Sequence, residues 1–236
     1  SSEVRTAWER FKDREEADGD LSQCAVTGKM MVSEQLFPMQ RGIPGANPTG
    51  ASFVTYNLEA FCSYGKTSND QAKNASISKE AAFGIGAALK YLINSPKHHI
   101  SMSDGTYVLF WADANDEECC DLFAQWFDCE SAEREAKKHE DNLQVERIHA
   151  NLKAIREGRP LLPFTKGTKF YVLGISPNVA RLAVRFYSVW ELDELQEHLG
   201  QFLRDAALVG QDKDYSIKSY VCQVAPRGEP KNVPET

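Results

Sequence analysis

Two arginines stand four residues apart in the run ARLAVRFYSV, at Arg181 and Arg185. On a strand, alternate side chains share a face, so the two guanidinium forks would lie ~13 Å apart on one side. Tyr187 follows on that side, while Leu182, Val184 and Phe186 point to the other. Paired forks on a rigid sheet match phosphate geometry. The alternative use is ion pairing with acidic helices. A second candidate is the stretch GIPGANPTGAS (42–52), with three Gly and two Pro in 11 residues. Gly42, Gly45 and Gly50 let a backbone approach a ligand closely, because no Cβ intervenes. Arg41, Asn47, Thr49 and Ser52 add donors that reach a phosphate or a base edge. The alternative is a plain surface loop. It is not a phosphate-binding P-loop, since the Lys-Ser/Thr end and the following helix are missing.

Other chemistry is weaker. Glu135, His139, Glu146 and His149 fall within an arc of about 80° on one helix. Glu146-x-x-His149 has the spacing of a di-metal ligand pair, yet no second such motif exists. Val145, Ile148, Leu152 and Ile155 take the largely opposite face, so the Glu/His face reads as the wet one. The six Cys form no Cys-x-x-Cys, and the expectation is reduced, mostly buried thiols in a cytoplasmic protein. A Cys–His nucleophile remains an alternative, without any hydrolase motif to support it. His98-His99 has no partner at metal spacing. Trp8, Trp111, Trp126 and Trp190 sit in periodic apolar segments and read as core.

The chain has 236 residues, enough for one large domain or two small ones, with 42% hydrophobic and 26% charged residues. No apolar run approaches the ~20 residues of a membrane helix, and the N-terminus has no signal-peptide core. It opens without Met, which reads as a fragment or a processed piece. The net charge of −7 is unevenly spread: −3 over 1–20, +3 over 21–100, −7 over 101–160, +4 over 161–189 and −4 over 190–236. Local fields rather than the total steer a polyanion.

The elements that must position these residues read as α+β: an antiparallel or mixed sheet built from hairpins, with helices packed on it. Residues 1–20 read as a charged N-terminal helix. Residues 21–209 read as one α+β domain, and 210–236 as a polar C-terminal connection. FVTYN (53–57) suits a strand. Ser78 can cap a helix to about 94, with Ala81, Ala82, Ile85, Ala88, Leu89 and Leu92 on its apolar face. Residues 98–113 read as a hairpin around Asp104-Gly105. Asn115 and Glu118 suggest a capping box for a helix to about 128, and a longer helix covers about 132–157. Residues 168–189 read as a basic hairpin around Ser176-Pro177-Asn178, and Ser188 with Glu191 caps a helix to about 208.

Several blocks in order resemble a known family. They are CAVTG (24–28), the Gly-rich block through Asn57, AFCSYGK (60–66), ISKEAAFGIGAALKYLI (77–93), GTYVLFWAD (105–113) and FYVLGISPNVARLAVRFY (170–187). The sequence resembles the central part of the large subunit of the type I-C CRISPR interference complex (type I-C Cascade, Csd1-type), from about Val4 to about Trp190. It departs from the family pattern at Phe37-Pro38, where the family has His-Pro. It departs also at Arg41, where the family has Lys, and at Asn47-Pro48-Thr49, where it has Gln-Ser-Ser. Related subunits carry zinc-binding Cys pairs, but here Cys24 stands alone, so no metal or other cofactor is carried over.

The resemblance implies a chain longer at both ends and a role that is not enzymatic. Such a subunit helps find the motif flanking a target in duplex DNA, stabilises the R-loop and recruits a helicase–nuclease, while guide RNA reads the target. It implies as partners duplex DNA, guide RNA and other Cascade subunits, with no membrane. The nucleic-acid-binding residues expected on this reading are Arg41, Gly42, Gly45, Asn47, Thr49, Ser52, Tyr64, Lys66, Asn178, Arg181 and Arg185. The alternative is a scaffold whose acidic helices dock other subunits, with the motif read elsewhere.

Overall fold

The computed structural model describes residues 21–102, 105–114, 116–138, 142–159, 167–207 and 216–224. The expected helix within 1–20, the Asp104 turn position, the Asn115 cap and His139 lie outside the described residues. The architecture is α+β, with antiparallel and mixed sheets and seven described helices. The chain divides into two compact units, Ser1–Tyr91 with Pro177–Ala183, and Leu92–Ser176 with Val184–Thr236. The long hairpin β7 (Lys169–Asn178) and β8 (Arg181–Glu191) thus gives its tip to the first unit and its stem to the second.

In the first unit, β1 (Leu21–Gln23) and β2 (Met30–Val32) pair antiparallel, with Leu21 opposite Val32. The turn between them closes on Cys24, whose buried sulfur accepts from the Ser78 amide at 3.3 Å. Hydroxyls of Ser22, Ser33 and Ser76 bond one another at 2.6–3.2 Å, tying that hairpin to the approach of the next helix. β3 (Met39–Gln40) and β4 (Ala51–Ser52) pair antiparallel, and β4 pairs parallel with the hairpin tip at Ser52 and Arg181. After the short α1 (Gln71–Asn74) comes α2 (Lys79–Asn94), which belongs to this unit through Tyr91. Ser78 caps it, its Oγ accepting the Ala81 amide at 3.3 Å, as the sequence suggests. Ala82, Leu89 and Leu92 are buried as expected, whereas Ala88 is exposed.

Residues 53–57 are not a strand, against expectation; the strand is Ala51–Ser52 alone. The cause is a competing acceptor. The Gln71 side-chain oxygen takes the Tyr56 amide at 2.9 Å and the Thr55 hydroxyl at 3.3 Å, so these donors are satisfied without a ladder.

The second unit carries β5 (His99–Ser101), β6 (Tyr107–Ala112), β7 and the stem of β8 in that order. β5 and β6 form the expected hairpin, and β6 runs antiparallel to β7 with Phe110 opposite Val172 and Trp111 opposite Tyr171. Phe110 and Phe170 are fully buried from one sheet face against Trp126, Ile148, Leu152, Ile155 and Leu192. Those residues come from α3 (Asp116–Phe127), α5 (Asn142–Arg156) and the start of α6 (Leu192–Asp205). Trp111 is not core; it is half-buried and stacks on Tyr171 at 5.2 Å.

Three differences from expectation occur in this unit. The single helix over 132–157 is two, α4 (Cys129–Lys138) and α5. The Ser188 capping box does not form, because β8 continues to Glu191 and the Leu192 amide bonds the Thr168 carbonyl at 3.0 Å. The hairpin turn is Val179-Ala180 rather than Ser176-Pro177-Asn178. Pro177 is tolerated in the strand because β6 pairs with β7 only as far as Ile175, so no ladder bond to β6 is lost.

Within 210–236, Ile217–Val224 forms α7. Its start is fastened to α4 and the residue before it: Ser216 and Ser219 donate to the Glu130 carboxylate, and Lys218 pairs with Asp128. Burial opposes the charge on Glu130, but the serine donors outweigh it and hold the carboxyl below its usual range. A depressed carboxyl contributes stability in full above its unfolded pKa, and loses it as pH falls through the lower folded value. Glu130→Ala is therefore expected to destabilise by about 1–3 kcal/mol at neutral pH. That deficit should shrink in acid, and thermal melts at pH 7 and pH 3 check it.

Candidate nucleic-acid interface

The glycine-rich loop is held by its own backbone and by the hairpin tip. Gly42, Gly45 and Gly50 all have positive φ, at 79°, 83° and 114°. Ile43 is buried and anchors the loop from within. The Asn47 amide donates to the Val179 carbonyl at 2.8 Å, and the Ser52 amide to the Ala180 carbonyl at 2.9 Å. At Gly45 a Cβ would stand 3.1 Å from Pro177 Cγ, so a glycine permits the close packing. Loop and tip therefore form one surface inside the first unit.

Arg41, Asn47, Thr49 and Asn178 are all exposed on these segments. None of the four side chains has a hydrogen-bond or ionic partner among the described residues. Ser52 is different: it is buried and its hydroxyl donates to the Val54 carbonyl at 2.7 Å, which removes it from a ligand's reach.

Arg181 lies in the same unit. Its Cζ sits 3.7 Å from the Phe61 ring centroid and Nη2 donates to Asn57 Oδ1 at 3.0 Å. No carboxylate pairs with it among the described residues, so its charge is positioned but not neutralised. Phe61 continues into the loop bearing Tyr64 and Lys66. The Tyr64 side chain is fully exposed, while the Lys66 ammonium donates to the Lys73 carbonyl. Arg185 belongs to the second unit, where Nε donates to Ser176 Oγ at 2.6 Å. The two arginines are thus engaged separately, which spacing alone did not reveal.

The sequence reading missed Asn57 and Phe61, which orient Arg181, and Val179, whose carbonyl fastens the loop. Phe61 sits within the AFCSYGK block, so its rank among aromatics was available; the backbone conformation of Val179 was not.

The remaining candidate groups lie apart from this surface in the sequence. Glu146 and His149 are exposed, His149 lies 3.3 Å from Glu133, and the Glu135 side chain is outside the described set. Among the described residues, no three His, Cys, Asp or Glu side chains gather as a metal site. Cys120 Sγ lies 3.5 Å from His98 Nδ1, a nucleophile–base pairing in outline. Both are buried, and the same nitrogen also lies 3.2 Å from the Phe110 carbonyl, so that carbonyl and the thiol compete for it. The Cys24 thiol is held down at about 6 by Ser78, yet only 1% of the residue is exposed. Burial instead pushes Cys129 up to about 12.

No described helix is long and apolar enough to cross a membrane. A search of curated proteins finds no match. The family model described as CRISPR-associated protein (Cas_Csd1) matches residues 1–236. With that match spanning the blocks that build the loop, the hairpin tip and the sheet, the chain belongs to the CRISPR-associated Csd1 family.

Proposed function

We propose that this chain is a non-catalytic region of the large subunit of a type I-C RNA-guided surveillance complex. It grips duplex DNA beside the target, helps read the flanking motif, stabilises the R-loop and helps recruit the helicase–nuclease. The observation that carries the reading is the interlocked loop and hairpin tip. They present Arg41, Asn47, Thr49 and Asn178 outward, with Arg181 stacked on Phe61 beside them. Small donors on a closely approaching backbone suit groove edges, and unneutralised guanidiniums suit phosphates.

The test is binding of target duplex by the assembled complex carrying Arg41→Ala and Arg181→Ala, with assembly followed in parallel. Intact assembly with weakened binding supports the reading. Lost assembly supports a scaffold instead, a reading favoured by the acidic balance of residues 101–160, net −7.

An enzymatic role for a cysteine has its own check. A thiol-reactive probe is expected to label Cys24 only as the protein unfolds, because burial outweighs its low pKa. Fast, selective labelling of native Cys24 would support that role.

A further inference from the structure

Val179 is the only described non-glycine residue with positive φ, at 56°. A β-branched side chain is poorly suited to the left-handed region, and Asn or Gly serves such a turn better. The strained conformation is held from outside, by the Asn47 amide on the Val179 carbonyl and by the bridge from Ala46 to Val179. Core packing does not explain the residue, since its side chain is 68% exposed. Its neighbours are the exposed Asn178 and, across the bonded backbone, the exposed Asn47. A strained residue that keeps an apolar group in water, between unpartnered donors, has the form of a contact waiting for a ligand.

We infer that Val179 is an apolar contact residue of the DNA interface. Its two methyl groups enter a groove of the bound duplex and meet base edges or sugars, while Asn47 and Asn178 flank them. The inference rests on the reading of this surface as a duplex-binding face. An apolar contact releases no counterions, so it adds affinity without adding to the salt dependence.

The test uses the assembled complex with Val179→Asn and Val179→Gly, titrated with a fluorescent target duplex at several salt concentrations. The thermal midpoint should rise by ~2–6 °C, because the left-handed strain is relieved. Duplex affinity should fall about tenfold with an unchanged salt slope. Val179→Thr, which keeps the branched shape and the strain, should bind more tightly than either. Wild-type affinity in the Asn and Gly variants would overturn the inference, and so would a lowered midpoint in both. The Arg41 and Arg181 variants separate the two levels. If they lose binding while the Val179 variants do not, only this inference falls; if neither set loses binding, the duplex-binding reading falls with it.

Discussion

Gly50→Val is expected to lower the thermal midpoint of the protein by ~6–12 °C, a loss of about 3 kcal/mol or more at 2–4 °C per kcal/mol. Two costs combine. With φ at 114°, Gly50 adopts a backbone conformation that L side chains rarely hold, worth about 1–3 kcal/mol. A Cβ there would also stand 2.9 Å from the Gln40 carbonyl oxygen and 3.2 Å from Met39 Cβ, so the β3–β4 pair must move. Such overpacking adds about 1–3 kcal/mol. Calorimetry on the variant measures the sum. Because the same pair leads into Arg41 and the loop, duplex binding should fall with it. A midpoint within 1–2 °C of wild type would mean that the loop is not held at this crossing.

The second large effect is electrostatic. Removing Arg41 and Arg181 together should flatten the slope of log affinity against log salt by roughly 1.8, or 0.9 for each lost phosphate contact. At ~0.15 M salt, that corresponds to binding weakened about 30-fold, to a similar extent on different sequences. Arg181 also stacks on Phe61, so its loss has a structural component. Arg181→Lys keeps the charge and should retain most of the slope, whereas the double alanine variant should not. A change of slope below half a unit, with the complex intact, would remove both residues from the phosphate contacts.

Much of the architecture was legible because local signals agreed with the packing. Ser78 reads as a cap and caps α2; Ile148, Leu152 and Ile155 read as one apolar face and are each 1% exposed. The failures came where a non-local partner outcompeted a local preference. FVTYN has strand composition, but Gln71 accepts from Thr55 and Tyr56 across sixteen and fifteen residues. Ser188 has the spacing of a cap, but pairing with β7 carries the strand three residues beyond it. Pro177-Asn178 is a strong turn signal, yet the ladder to β6 ends at Ile175, so a proline two residues on costs that pairing nothing.

The interface divides in the same way. Glycine spacing marked the loop, and donors of the right type marked Arg41, Asn47 and Thr49. Alternation alone suggested that Arg181 and Arg185 work as a pair. In the structure Arg181 is oriented by Asn57 and Phe61, and Arg185 by Ser176. No periodicity encodes those long-range partners. Ser52 looked like a donor by type, and only its burial shows that its hydroxyl is spent on Val54.

The amide of Gln71 stands in for an absent neighbouring strand, and that has a kinetic consequence. A ladder of many bonds opens all at once, at a large fraction of the cost of global unfolding, whereas a strap held by one side chain lets go alone. In deuterium exchange, the Tyr56 amide should therefore lose protection early, while the amides of β6 and β7 persist. Asn57, which steadies Arg181, sits one residue beyond that clasp, so its release would slacken the arginine without melting anything else.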